Sequence, residues 1–179
     1  MRVLWLCLLL LLPMPLRADP QLLSQPGVVV LLRHATAPGG GDPPGFTLGD
    51  CATQRNLSDA GRAEAREIGA RMRAAGAAFD VILTSEWCRT SETAALLGLG
   101  PVTPFPPANS FFDNRQDGPR QTAETLAHLA TLPPDARVLI VTHQVNIQGL
   151  TGISPRSGEA VIASRDSDRL RVEGRLPPP

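Results

Sequence analysis

The 179-residue chain predicts an α/β fold in three layers, with helices on both faces of a mixed, mostly parallel sheet. Three observations carry this expectation. Short, mainly apolar segments recur at Val28–Leu32, Phe79–Leu83 and Arg137–Val141, each with the length and β-branched content of a buried strand. Stretches with apolar residues at three- and four-residue steps separate them, as amphipathic helices would. Each apolar run then stops in polar groups: Arg33-His34, Thr84–Arg89 and Thr142-His143. A buried strand meets such groups only where it leaves the core, and the carboxyl edge of a parallel sheet is where open α/β folds hold ligands.

Composition narrows the function classes. The 17 basic and 17 acidic residues cancel, so no basic surface for nucleic acid is expected. Every basic residue is arginine, and the absence of lysine excludes a Schiff base or a phosphate-loop lysine. Aromatic residues make up only 4%, too few for a single-strand stacking platform.

Residues 1–18 have the layout of an export signal. Arg2 opens it, Val3–Leu12 is an apolar stretch of ten residues, and Pro13, Pro15 and Ala18 end it. Ten residues are too few for a spanning helix, so no stable membrane anchor is expected after cleavage. The expectation is a periplasmic or secreted protein with one domain over 19–179. Loss of Cys7 with the signal leaves Cys51 and Cys88, an even number in an oxidising compartment, which suggests a disulfide; two free thiols is the other reading. With 3 histidines and no Cys-x-x-Cys pair, neither a metal site nor a cofactor is expected.

The elements follow in order. Val28–Leu32 is the first strand. Ala35–Gly49 holds five glycines and three prolines and reads as a loop long enough to lie over a pocket. Ser58 suits an N-cap for a helix whose stripe is Ala65, Ile68, Met72 and Ala75, and Gly76 ends it. Phe79–Leu83 is the second strand, and a helix follows over about Ser91–Leu97. Val102–Phe105 reads as a short strand, and Ala108–Arg120 as irregular. Gln121–Leu132 is helical with Leu126, Leu129 and Leu132 inward, stopped by Pro133-Pro134. His128 lies on this helix without a motif and reads as a surface residue. Arg137–Val141 repeats the device of the first strand, delivering His143 at its end. A short helix over Gln144–Leu150 and a terminal strand pair, Glu159–Ser164 and Arg169–Arg175, complete the chain.

If the strands are parallel at that edge, His34 and His143 converge there with Arg33 and Arg89. Two guanidinium forks suit a tetrahedral dianion. A neutral histidine nitrogen between them can attack phosphorus, and the second histidine can donate to a non-bridging oxygen. Cysteine-based phosphate chemistry is not expected, because neither cysteine is followed by arginine at the spacing of a Cys-x₅-Arg loop.

Four segments in order carry a family resemblance. They are Leu31-Leu32-Arg33-His34-Ala35, Leu57-Ser58-Asp59-Ala60-Gly61-Arg62-Ala63-Glu64-Ala65, Thr84-Ser85 with Arg89 and Glu92-Thr93-Ala94, and Leu139-Ile140-Val141-Thr142-His143. Together they resemble the histidine phosphatase superfamily, with its phosphoglycerate-mutase-like fold, across most of residues 28–162. The resemblance implies a metal-independent phosphomonoesterase in which His34 becomes phosphohistidine. Arg33 and Arg89 would clamp the phosphoryl oxygens, and His143 would complete the pocket. Arg55 is a further candidate phosphate or substrate contact. Trp87 is a candidate to cap the pocket or to pack in the core, and Phe111 and Phe112 are candidates to line the substrate mouth or to anchor the loop. Cys51 and Cys88 flank pocket segments, so a bridge would tie the two together.

Two positions depart from the family pattern. Ala35 stands where the family has glycine. The proton donor to the leaving group is also displaced: Gln144 follows the second histidine where one branch has an acid, and Ala108–Asn114 contains no glutamate where the other branch does. Asp113 is the expected acid, with Asp50, Glu86 and Asp117 as rivals. The substrate expected is a small phosphorylated molecule. By analogy with short exported relatives that act on lipopolysaccharide heptose, it is an envelope sugar phosphate. A protein phosphohistidine phosphatase and a non-catalytic phosphate-ester binding module stay open as alternatives. A mutase fits less well, because it needs a retained phospho-donor and its characteristic glutamate.

Overall fold

The computed structural model describes residues 20–166 and 168–179; the expected export signal lies outside the described residues. A six-stranded sheet organises the chain. Its strands are β1 (Val28–Arg33), β2 (Val81–Thr84), β3 (Thr103–Pro104), β4 (Val138–Thr142), β5 (Ala160–Asp166) and β6 (Arg169–Leu176), in the order β3-β2-β4-β1-β5-β6. The first four in that order run parallel, and β5 and β6 add antiparallel strands at one side. The mixed, mostly parallel sheet expected from the sequence is therefore present.

Strand β1 shows why five successive apolar residues are needed. Val28, Val30 and Leu32 face one layer with Ile68, Met72, Ala94 and Leu97, whereas Val29 and Leu31 face the other with Leu129, Ile147 and Leu150. A strand covered on both faces has no solvent side, so the polar-apolar alternation of a surface strand disappears. Helices α1 (Asp59–Ala74) and α2 (Cys88–Leu97) form the first layer, and α3 (Gly118–Thr131) and α4 (Gln144–Thr151) form the second.

Helix α1 begins as its sequence dictates: the Ser58 hydroxyl accepts from the Gly61 amide at 3.0 Å. Two of its glycines permit backbone contacts. A Cβ on Gly61 would stand 2.0 Å from the Thr36 carbonyl oxygen, and one on Gly69 would stand 2.0 Å from that of Leu97. The first contact presses α1 onto the loop after β1; the second presses it onto the end of α2.

Two helix starts differ from the sequence reading. Helix α2 begins at Cys88 rather than about Ser91, because the Gln54 side chain accepts from the Cys88 amide at 3.0 Å and supplies a remote cap. Helix α3 begins at Gly118, with Pro119 in its first turn, where proline costs no hydrogen bond. Strands β2 and β4 are each displaced toward their polar ends, taking in Thr84 and Thr142. No helix among the described residues is long and apolar enough to cross a membrane.

Candidate active site

Strand register builds the site. In the parallel β1–β4 pair, Arg33 stands opposite Thr142, so the next residues, His34 and His143, leave the sheet side by side. The His34 amide donates to the Thr142 carbonyl at 3.0 Å, one step beyond the ladder. On the other side of β4, Thr84 pairs with Val141, and the Ser85 amide donates to the Val141 carbonyl. Three strand ends thus stop level with one another, as the three polar terminations in the sequence require.

A cavity of about 130 Å³ opens over these ends. Its walls include Arg33, His34, Arg55, Arg89, His143 and Asp113, six of the residues expected from sequence. The roof is the backbone of Gly39–Gly41, with Asp42 beside it. The mouth carries Ser110, Phe112 and Gln144. Among the described residues, no group of three or more His, Cys, Asp and Glu side chains is arranged to hold a metal ion.

His34 is 2% exposed, and its ring is oriented by a single bond, from Nδ1 to the Ala35 carbonyl at 2.8 Å. A carbonyl can only accept, so Nδ1 carries the proton and Nε2 keeps its lone pair. Burial, followed by the charges of Arg89, Arg33 and Arg55, pushes the ring down to about 3, against the Ala35 carbonyl, which favours protonation. The ring is therefore neutral throughout the physiological range. Ala35 holds this carbonyl in place: its amide donates to the Thr93 hydroxyl at 3.1 Å, and its methyl is fully buried with Ala37, Leu57 and Ala65. Alanine at this position is accommodated as packing.

His143 is held differently. Its Nε2 lies 2.8 Å from the Ser85 hydroxyl, which also accepts from the Trp87 amide at 3.3 Å. Burial, then the neighbouring His34 and the three arginines, holds this ring well below its ordinary range. The two rings meet edge to face with centroids 5.5 Å apart. Ser85 belongs to a motif segment, but no spacing in the sequence pairs it with a residue 58 positions away.

The arginines divide their donors. Arg33 donates through Nη1 to the Pro155 carbonyl at 2.9 Å and keeps a buried Nε without a partner. Arg89 is 3% exposed and likewise keeps an unpartnered Nε. Both side chains line the cavity and bring it two permanent positive charges, which suit an oxyanion. Burial is the main influence lowering all three guanidiniums, and for Arg33 and Arg55 the charge of Arg89 comes next. Arg55 spends most of its fork on the roof, with Nε on the Gly41 carbonyl at 2.9 Å and Nη1 on the Ala37 carbonyl. Its contact with the cavity is accompanied by a structural duty that the sequence did not announce.

Asp42 is the residue that sequence reasoning missed. It lies in the loop expected only to cover a pocket, and its side chain is 4% exposed. Its oxygens accept from Arg89 Nη1 at 2.8 Å, Trp87 Nε1 at 3.0 Å and the Arg55 amide at 3.1 Å. Burial alone would raise this carboxyl, but those three donors hold it below the usual carboxylate range. No local pattern could reveal a partner 47 residues away.

Two aromatic assignments change. Phe111 does not line this cavity: its ring packs 3.1 Å from the position a Cβ on Gly118 would take and anchors the loop on α3. Its neighbour Phe112, 48% exposed, lines the mouth instead, with the Arg115 guanidinium over its ring at 4.8 Å. Trp87 lies behind the lining, edge-on to His143 with centroids 5.5 Å apart. The three rival acids lie elsewhere. Asp50 accepts from the Ala52 amide, Glu86 is held by Asn109, and Asp117 by Asn114 and Arg120. His128 packs against Phe105 on α3, away from the cavity. The expected Cys51–Cys88 disulfide is formed, with Cα atoms 5.7 Å apart.

No protein-family model and no curated protein matches the sequence. Solved structures do. A protein provisionally assigned as the phosphohistidine phosphatase SixA of Agrobacterium tumefaciens is 21% identical, with 86% of this chain and 99% of that chain covered at a TM-score of 0.59. The protein histidine phosphatase SixA solved with tungstate is 17% identical, with 84% and 97% covered at 0.62. A mycobacterial glucosyl-3-phosphoglycerate phosphatase solved with VO3 is 16% identical, with 82% and 97% covered at 0.60. At these identities the likeness is one of fold: the chain has the phosphoglycerate-mutase-like fold of the histidine phosphatases.

Proposed function

We propose that this protein is a phosphomonoesterase that works through a phosphohistidine on His34. The observation that carries the reading is the Nδ1 bond of His34 to the Ala35 carbonyl, which leaves a neutral ring with a free Nε2 lone pair beside Arg33, Arg89 and His143. In the first step, Nε2 bonds to phosphorus as the ester P–O bond breaks, and the leaving oxygen takes a proton from Asp113. In the second, water attacks the phosphohistidine, Asp113 takes the water proton, and phosphate leaves with His34 restored. Arg33 and Arg89 balance the charge on the equatorial oxygens, and His143 donates to one of them. The tungstate and VO3 in two proteins of this fold support an oxyanion as the species held here.

The mouth supports a sugar phosphate as substrate. The half-exposed Phe112 ring, together with Ser110 and Gln144 in the same lining, suits a ring bearing hydroxyl groups. A phosphohistidine substrate is the second reading, supported by the likeness in fold to SixA proteins. The disulfide supports an oxidising compartment, the periplasm or the cell exterior.

Acid-quench trapping with labelled sugar phosphates, phosphoserine and phosphohistidine tests the proposal. Label should remain on the wild type and be absent from His34→Ala. No label and no His34-dependent turnover across the panel would leave a binding module. Asp113→Asn should lose about 10²–10⁴-fold in kcat on alkyl esters and little on p-nitrophenyl phosphate, whose leaving group needs no proton.

A further inference from the structure

We infer that Asp42 is a positioning residue that sets the orientation of Arg89 and the charge of the cavity, and so governs how readily phosphate leaves. This rests on the phosphomonoesterase reading. A carboxylate in a loop of glycine and proline would ordinarily lie in water, since burying a charge is costly unless it is fully partnered. The Asp42 side chain is buried; of its three partners Arg89 and Arg55 line the cavity, and Trp87 lies directly behind the lining. Oδ1 takes Arg89 Nη1 and the Arg55 amide, and Oδ2 takes the Trp87 indole.

Two consequences follow from this geometry. First, fixing Nη1 fixes the plane of the Arg89 fork. Nη2 then stands 3.5 Å from His143 Nδ1, and Nε remains without a partner. The same contact seats the Gly39–Gly41 roof, which Arg55 also holds through the Gly41 carbonyl. Second, three guanidiniums around about 130 Å³ would retain a phosphate dianion. An ionised Asp42 removes one unit of that charge and competes for one Arg89 donor. A carboxylate that accepts three hydrogen bonds is poorly suited to giving up a proton, so this role is separate from that of Asp113.

The test compares Asp42→Asn, which keeps the shape but not the charge, with Asp42→Glu, which keeps the charge. Calorimetry with inorganic phosphate should show about tenfold tighter binding to Asp42→Asn than to wild type, and near wild-type affinity for Asp42→Glu. In turnover, Asp42→Asn should lower kcat by a similar factor for p-nitrophenyl phosphate and for alkyl esters, with a lower inhibition constant for phosphate. Unchanged or weaker phosphate binding to Asp42→Asn overturns the inference. A kcat loss confined to alkyl esters also overturns it and makes Asp42 the proton donor. Should Asp42→Asn not fold, Asp42→Glu decides: lower kcat at unchanged phosphate affinity supports a positioning role, and unchanged kcat refutes it. If the wild type has no His34-dependent turnover, the functional reading fails, while the calorimetric comparison still tests Asp42.

Discussion

Acidification from pH 7 to pH 5 should destabilise this protein, and the effect should reside in the two histidines at the sheet edge. His34 is held at about 3 in the folded state against an ordinary value of 6.5. Below 6.5 the unfolded chain takes up a proton at this residue, and the folded chain does not until about 3. Stability therefore falls as pH drops through that window, and is restored as pH rises above 6.5. The loss tends to about 1.4 kcal/mol per pH unit for one such group, so His34 contributes about 2 kcal/mol between pH 7 and pH 5. His143, also lowered by burial, acts in the same direction. Carboxylates contribute little here: Asp42 is lowered from 3.8, so the stability it adds is present above 3.8 and is lost only as pH falls below it. Urea denaturation at pH 7, 6 and 5 measures the slope for wild type, His34→Asn and His143→Asn. Each variant should lose part of the slope while retaining the fold. A wild type whose stability does not change between pH 7 and pH 5, or variants with the wild-type slope, would refute the reasoning. The same burial predicts that acid-limb activity follows the substrate phosphate rather than His34.

Two further predictions concern the frame of the site. Replacing both Cys51 and Cys88 with serine opens a cross-link spanning 37 residues, which should cost about 4 kcal/mol by chain entropy. Chemical denaturation of the oxidised wild type and the double variant measures this, and equal midpoints would show that the bridge constrains nothing. Gly69→Ala should destabilise by about 1–3 kcal/mol in thermal unfolding, even though alanine is the better helix former by about 1 kcal/mol. Its Cβ would stand 2.0 Å from the Leu97 carbonyl oxygen, and backbone cannot yield as a flexible side chain can. A stabilised variant would show that α1 and α2 are not pressed together there.

Local order in the sequence was enough to specify the layers and the edge that carries the site. Val28–Leu32 and Val138–Val141 are apolar at every position because both faces are covered, and that is legible without coordinates. Arg33-His34 and Thr142-His143 mark where cover ends, because polar groups cannot continue inside. The Ser58 cap and the Ala65, Ile68 and Met72 stripe were equally legible, since each depends on neighbours within one or two turns. Only the tertiary structure decided what depends on partners distant along the chain. Asp42 meets Arg89 across 47 residues, Ser85 meets His143 across 58, and Gln54 caps a helix 34 residues away. Phe111 and Phe112 are adjacent and chemically alike, so only the turn of the loop over Gly118 decided which ring packs inward and which faces the mouth. The sheet edge bearing His34 could thus be read from hydrophobic cover alone. The charge balance inside its cavity could not, because it arises when a glycine-rich loop folds back and buries a carboxylate against an arginine in the first turn of α2.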